Sequence, residues 1–368
     1  MDAFFACFAG LEDPRDDNAR HDLLELLVIA LCAVLCGAED CSDMALFGRA
    51  KEAFFREFLS LRHGIPSHDT FSRVFRLIDP VKFHACFLVF MRRFSERMQG
   101  VIAIDGKTLR RSFDRASQKS ALHLVSAWAA DQRLVLGQLA VDGKSNEITA
   151  VPKLLDLLSL KGAIVTADAL NCQRAIAAQI VDQGGDYALA LKGNQQALYA
   201  DVRFFDDKDL DPTSVHTATD ADHGRIETRV SAVSTDIAWL QERHQWPGLA
   251  AIGKVTRIRE AAGKTTTETA YYLLSAPLAA NRFHEVVRHH WGIENSLHWV
   301  LDVTMNEDQS RNRKDHSPEN LALLRRLALN LAKLEPSRGS IKAKLKQAGW
   351  DNAFLAKLLT LFAHPQMR

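Results

Sequence analysis

The chain has 368 residues, 47% hydrophobic and 25% charged, with a formal net charge of +1; this supports two or three domains around a full core and excludes a disordered or collagen-like polymer. Its longest uninterrupted apolar run, Leu26–Cys36, is well short of the roughly 18 residues a membrane span needs, and no basic leader opens the chain, so the sequence predicts a cytoplasmic protein with no membrane contact. The charge is uneven: residues 1–99 hold 12 Lys and Arg against 15 Asp and Glu, 100–287 hold 21 against 22, and 288–368 hold 13 against 8, a basic final segment compatible with a polyanionic partner.

The first hundred residues read as helical. Leu23–Leu35 is apolar almost throughout, as a buried helix is, and 44–61 carries Leu46, Phe47, Phe54, Phe55 and Leu59 at helical period. Gly64-Ile65-Pro66-Ser67 then stops and restarts the chain, and Ser67 is placed to cap a helix in which Phe71, Val74, Phe75 and Ile78 form one face. His68, Thr70, Ser72, Arg73 and Arg76 fall outward, a pattern shared by a helix-turn-helix recognition helix and by an ordinary bundle helix. After residue 99 the texture changes to three successive strands (101–104, 122–130, 134–141), then helix (147–160), strand (163–167), helix (172–183) and strand (187–191). That order predicts a mixed α/β sheet of the ribonuclease H type. A polar stretch follows with strands expected at 229–233, 250–258 and 267–274, and from Phe283 the chain reads as helix to its end, with Pro318 opening one helix and Pro336 closing it. The expected layout is a helical leading domain (1–98), a first core part (99–193), a β-rich insertion (194–278), a second core part (279–335) and a helical tail (336–368).

Three carboxylates stand out. Asp105 ends the apolar run Ile102-Ala103-Ile104, and Asp168 ends Ile164-Val165-Thr166-Ala167; in a ribonuclease H type sheet these two strands are neighbours, so their terminal acids would converge. Glu294 lies on a helical face with His290, Trp291, Leu297, His298 and Leu301. Carboxylates from two strands and a helix suit two hard divalent cations, the arrangement of phosphoryl transfer. His290, Glu294 and His298 form a competing ligand set at i, i+4 and i+8, disfavoured for zinc because the two histidines are two turns apart. No Walker A loop is present, and the six cysteines, Cys7, Cys32, Cys36, Cys41, Cys86 and Cys172, form no CxxC pair, which predicts reduced packing residues.

Together with Gly64-Ile65-Pro66-Ser67-His68-Asp69-Thr70-Phe71, Lys144-Ser145-Asn146-Glu147-Ile148, Asp186-Tyr187-Ala188-Leu189-Ala190-Leu191-Lys192, His223-Gly224-Arg225-Ile226-Glu227 and His290-Trp291-Gly292-Ile293-Glu294-Asn295, these residues give a sequence that closely resembles the DDE transposases of bacterial insertion sequences, in the branch of the H-repeat-associated proteins. The resemblance runs through nearly the whole chain. It implies a ribonuclease H-like fold in which Asp105, Asp168 and Glu294 bind Mg2+ or Mn2+, and an enzyme that cuts DNA at element ends and joins the 3′ hydroxyls to target DNA. The Tyr, Arg and Lys that many related transposases place around the glutamate are here Val287, His290 and Leu301, so the phosphate contact is expected from Arg288 or His290; Asn171 stands where Gly is usual after the second Asp.

Further contacts to double-stranded DNA are expected from Lys107, Arg110 and Arg111 beside the first Asp and from Lys192 after a strand. His223, Arg225 and Arg229 would share one face of an extended segment, and Arg311 and Arg313 belong to the clearest basic cluster. Trp291 fits either a base-stacking platform or a core position. Synapsis of two element ends implies a homodimer. A DNA-binding protein without catalysis, and a nuclease that cuts without joining, are the other classes compatible with these residues.

Overall fold

The structure is a computed structural model that describes residues 2–94, 100–114, 118–141, 147–204, 214–222 and 225–363. Among the described residues six α-helices precede the first strand: α1 (Asp2–Phe8), α2 (Leu23–Leu35), α3 (Cys41–Ala50), α4 (Glu52–Phe55), α5 (His68–Leu77) and α6 (Pro80–Arg92). Acceptor side chains start several of them: Asp22, Asp40 and Asp79 cap α2, α3 and α6, and Ser67 Oγ accepts from the Thr70 N–H to cap α5 as the sequence predicts. The helix expected over 44–61 is instead two, broken at Lys51, which closes α3 and opens α4. Helix α5 buries Phe71, Val74 and Phe75 against α3 and α12 (Ser317–Leu334), leaving His68 and Arg73 exposed.

The strands are β1 (Gly100–Thr108), β2 (His123–Ala129), β3 (Leu134–Val141), β4 (Ala163–Ala167), β5 (Asp186–Leu191), β6 (Val215–Asp222), β7 (Arg225–Ser234), β8 (Ala251–Ala261) and β9 (Lys264–Leu274). Among the described residues all nine form one sheet in the order β3-β2-β1-β4-β5-β9-β8-β7-β6. Strands β1, β2 and β3 pair antiparallel, while β4 lies parallel to both β1 and β5. This mixed α/β arrangement fits the ribonuclease H-like sheet expected from the sequence. The β-rich stretch after residue 194 extends the same sheet, because β9 pairs antiparallel with β5. Between these strands lie α7 (Glu147–Leu155), α8 (Arg174–Asp182), α9 (Gln196–Val202) and α10 (Ala238–His244).

Helix α11 (Ala280–Ile293) crosses the sheet over β1, β4, β6 and β7. Its close seat depends on Gly253 of β8, where a Cβ would collide with the ring of buried Phe283. The chain then continues as two π-helical turns, Glu294–His298 and Val300–Thr304. Helix α12 is buried on nearly every side and packs on α2, α5, α6 and β3, and α13 (Ile341–Trp350) and α14 (Asn352–Thr360) close the fold. One hydrophobic core runs from Phe4 through the sheet to Phe362, whose ring lies 5.0 Å from Phe4 and 4.7 Å from Phe90. Edge strand β3 is covered by α12: Asn330 Oδ1 accepts from the Val135 N–H at 2.9 Å and its Nδ2 donates to the Val135 carbonyl at 2.8 Å. The six cysteines are free, five of them buried and Cys36 half-buried.

Candidate active site

The parallel pairing of β1 and β4 ends at Ile104 opposite Ala167. Asp105 and Asp168 are each the next residue, so two neighbouring interior strands deliver two carboxylates side by side where β4 ends. Asp105 is pushed up to about 7, first by burial and then by the negative charges of Asp168, Glu294 and Glu147, against the opposing N–H of Gly106. Asp168 caps a short 3-10 turn, Ala169–Asn171: its Oδ1 accepts from the Asn171 backbone N–H at 3.2 Å and from Asn171 Nδ2 at 3.0 Å.

Glu294 arrives from the other direction, exposed at the first π-helical turn after α11. That helix is tied to the sheet by His290, whose Nδ1 lies 3.0 Å from Thr166 Oγ1, two residues before Asp168. Burial pushes His290 down to about 4, although Asp168 pulls it upward. It is therefore a neutral hydrogen-bonding group near pH 7 and not a cation. His298 is held down at about 3 by burial and by Arg326 and Lys107, with its Nδ1 3.5 Å from Asp105 Oδ2.

Among the described residues no three His, Cys, Asp or Glu side chains stand close enough together to hold a metal ion. The donor set nevertheless has the chemistry for one. Asp105, Asp168 and Glu294 offer only hard carboxylate oxygens, and burial together with the charges of Asp168, Glu294 and Glu147 disfavours the ionised form of Asp105.

The sequence did not single out a buried relay beneath these acids. Thr108 Oγ1 lies 2.8 Å from His123 Nδ1, and His123 Nε2 lies 2.7 Å from Glu147 Oε1. Glu147 Oε2 in turn accepts from Asn171 Nδ2 at 3.1 Å. The only advance signal was Glu147 within its quoted motif, of which Lys144, Ser145 and Asn146 lie outside the described residues.

The expected DNA contacts divide. Lys107 must be corrected: it is 7% exposed and its ammonium sits 2.7 Å from Asp302, 3.0 Å from Asp308 and 3.3 Å from Glu307. Burial opposes its charge, but those carboxylates more than restore it, so Lys107 is a buried ion-pair partner withdrawn from any DNA surface. Arg110 is 81% exposed near Asp308, and Arg313 donates to the Arg111 carbonyl while lying over the Phe113 ring, which gathers these three arginines beyond the end of β1. Arg311 and Lys192 are exposed. Asn194 and Gln195, next to Lys192, instead donate to the carbonyls of Ala169 and Cys172 and brace the turn after Asp168.

His223 lies outside the described residues. Arg225, Glu227 and Arg229 do share a face of β7, opposite Ala261, Arg259 and Arg257 of β8. Arg229 is spent on Asp220 at 2.6 Å and on Glu227, and Arg288 approaches the same Asp220 oxygen at 3.6 Å. Arg257, which sequence reasoning missed, lies 5.0 Å over the half-exposed Trp291 ring. Its approach depends on β8 lying beside α11, which no local pattern encodes.

The "Transposase DDE domain" family matches residues 96–331, and the "DDE_Tnp_1-associated" family matches residues 5–91. The chain is 38% identical over 352 residues to the H repeat-associated putative transposase YhhI of Escherichia coli K12, covering 93% of each protein. It is 37% identical over 357 residues to the putative transposase YncI of Escherichia coli O157:H7, covering 94% of this chain and 91% of that protein. Among solved structures it is similar to a piggyBac transposase in a synaptic complex with hairpin DNA, with a TM-score of 0.47 and 10% identity over 97% of this chain and 81% of that one. Among the described residues no helix is long and apolar enough to cross a membrane. By family and by relatives matched over nearly its full length, the chain belongs to the DDE transposases, in the company of the H repeat-associated proteins.

Proposed function

We propose that the protein is an active, metal-dependent DNA transposase that cuts double-stranded DNA at the ends of its element and joins the freed 3′ hydroxyls to a target. The observation that carries this reading is the arrival of Asp105 and Asp168 from adjacent parallel strands where β4 ends, within electrostatic reach of Glu294 at the turn after the crossing helix. These three carboxylates would hold Mg2+ or Mn2+. When bound, such ions activate an oxygen nucleophile and stabilise the leaving oxygen of an in-line displacement.

The chain's own residues supply position and charge. The sheet fixes two of the acids on rigid backbone, while the His290–Thr166 bond sets the helix that brings the third. Exposed Arg110, Arg311 and Lys192, with Arg111 and Arg313, would offer positive charge to a phosphate backbone. Arg225, Arg229 and Arg257 of β7 and β8, with Arg288 of α11, would guide flanking DNA; pairing with Asp220 and Glu227 holds Arg229 in place until a phosphate competes. Joining two element ends at once requires two copies of the chain.

The test is purified protein with a plasmid carrying the element ends, with and without Mg2+. Asp105→Asn, Asp168→Asn and Glu294→Gln should each abolish cleavage while leaving DNA affinity within about threefold, since one carboxylate among many phosphate contacts contributes little to binding. Retained cleavage in any of the three defeats the assignment. Cut ends that never appear in a second DNA would leave a nuclease, and binding without cutting would leave a recognition protein.

A further inference from the structure

We propose that Glu147, backed by His123, is a positioning residue that fixes both aspartates for a divalent cation; this rests on the reading of Asp105 and Asp168 as metal ligands. Glu147 is 2% exposed and His123 3% exposed, so neither reaches DNA. Both Glu147 oxygens are occupied, Oε1 beside His123 and Oε2 by Asn171, which removes Glu147 itself from the set of ligands. Its hold on Asp168 passes through a single group: Asn171 Nδ2 has two hydrogens, one donated to Glu147 and the other to Asp168 Oδ1. The Asn171 backbone N–H goes to the same Oδ1, and Asp168 Oδ2 takes no part in these bonds. One oxygen is thus anchored and the other is left for a cation, as partners behind metal-binding carboxylates commonly arrange.

The hold on Asp105 is steric. Gly106 follows it directly, and a Cβ there would collide with Glu147 Oε1 and His123 Nε2. The backbone beside the first aspartate therefore rests on the same pair that anchors the second. Asn171, the departure from the usual glycine, is the link that makes the arrangement continuous.

The experiment measures Mn2+ binding to the purified full chain by electron paramagnetic resonance, alongside cleavage of element-end DNA as a function of Mn2+. Glu147→Ala should raise the half-saturating Mn2+ concentration about tenfold in both measurements, with DNA affinity unchanged and cleavage recovered at high Mn2+. Glu147→Gln, which keeps a side-chain oxygen for Asn171, should fall between Glu147→Ala and the parent. Asn171→Ala should reproduce the Glu147→Ala shift, and the double variant should be no worse than either, because both cut one chain of bonds. A folded Glu147→Ala protein that binds Mn2+ like the parent, while Asp105→Asn does not, overturns the positioning role alone. If Asp105→Asn also binds like the parent, the metal-ligand reading falls with it. Should Glu147→Ala not fold, Asn171→Ala decides: an unchanged Mn2+ midpoint there refutes the proposal.

Discussion

Glu307 lies far from Asp105 in sequence but governs the ground beside it through Lys107. Burial alone would raise it, yet Arg326, Lys107 and Arg325 hold it down at about 2, and its side chain and that of Arg326 are both fully buried, 2.8 Å apart. A carboxylate depressed in the folded state adds stability that is fully present above its unfolded value near 4.5 and lost as pH falls through about 2. Glu307→Gln should therefore cost roughly 3–5 kcal/mol at pH 7, where it strands buried Arg326, and should flatten the decline of Tm between pH 4.5 and 2; thermal melts of both proteins across that range check it. The same cluster explains why Lys107 misled sequence reading. On β1 it shares a face with Asp105, so local alternation points it at the reacting phosphate, whereas its partners Asp302, Glu307 and Asp308 come from almost two hundred residues downstream. Asp105 and Asp168 were legible because each ends an apolar run; the His123–Glu147 pair was not, since neither residue's neighbourhood in sequence hints at the other.

Among the elements, α11 sets the reach of Glu294, and its seat is decided by one glycine on the sheet. Gly253→Ala should push Phe283 and the helix outward, costing roughly 1–3 kcal/mol by overpacking, and should lower the cleavage rate more than it lowers the fraction folded. Comparing active-site titration with the melting curve separates the two effects. Asn330 of α12 protects strand β3 in a similarly local way, by mimicking a neighbouring strand's backbone toward Val135. Asn330→Leu would leave a buried N–H and carbonyl unpaired, a loss of about 2–4 kcal/mol, readable as a fall in the denaturant midpoint with little change in slope. Strands β1 to β5 and helix α2 were readable from period and apolar runs. Strand β6 and helix α10 were not: the polar sequence His216-Thr217-Ala218-Thr219-Asp220 becomes a strand because β7 pairs with it. The π-helical turns likewise have no period that distinguishes them from a continuing α-helix.

At the scale of the whole molecule, the sequence reads as successive domains, but the packing joins them. The leading helices, the sheet and the final helices contribute to one hydrophobic core. Heat should accordingly unfold the protein in a single transition, with calorimetric and van't Hoff enthalpies in agreement; two resolved transitions would contradict a shared core. The meeting of Phe362 with Phe4 and Phe90 ties the two ends of the described chain together. In genetic terms, a copy of the gene truncated after α13 removes packing from α1 and α6, which are encoded far upstream. Such a copy is expected to be a null allele whose product is cleared by proteolysis.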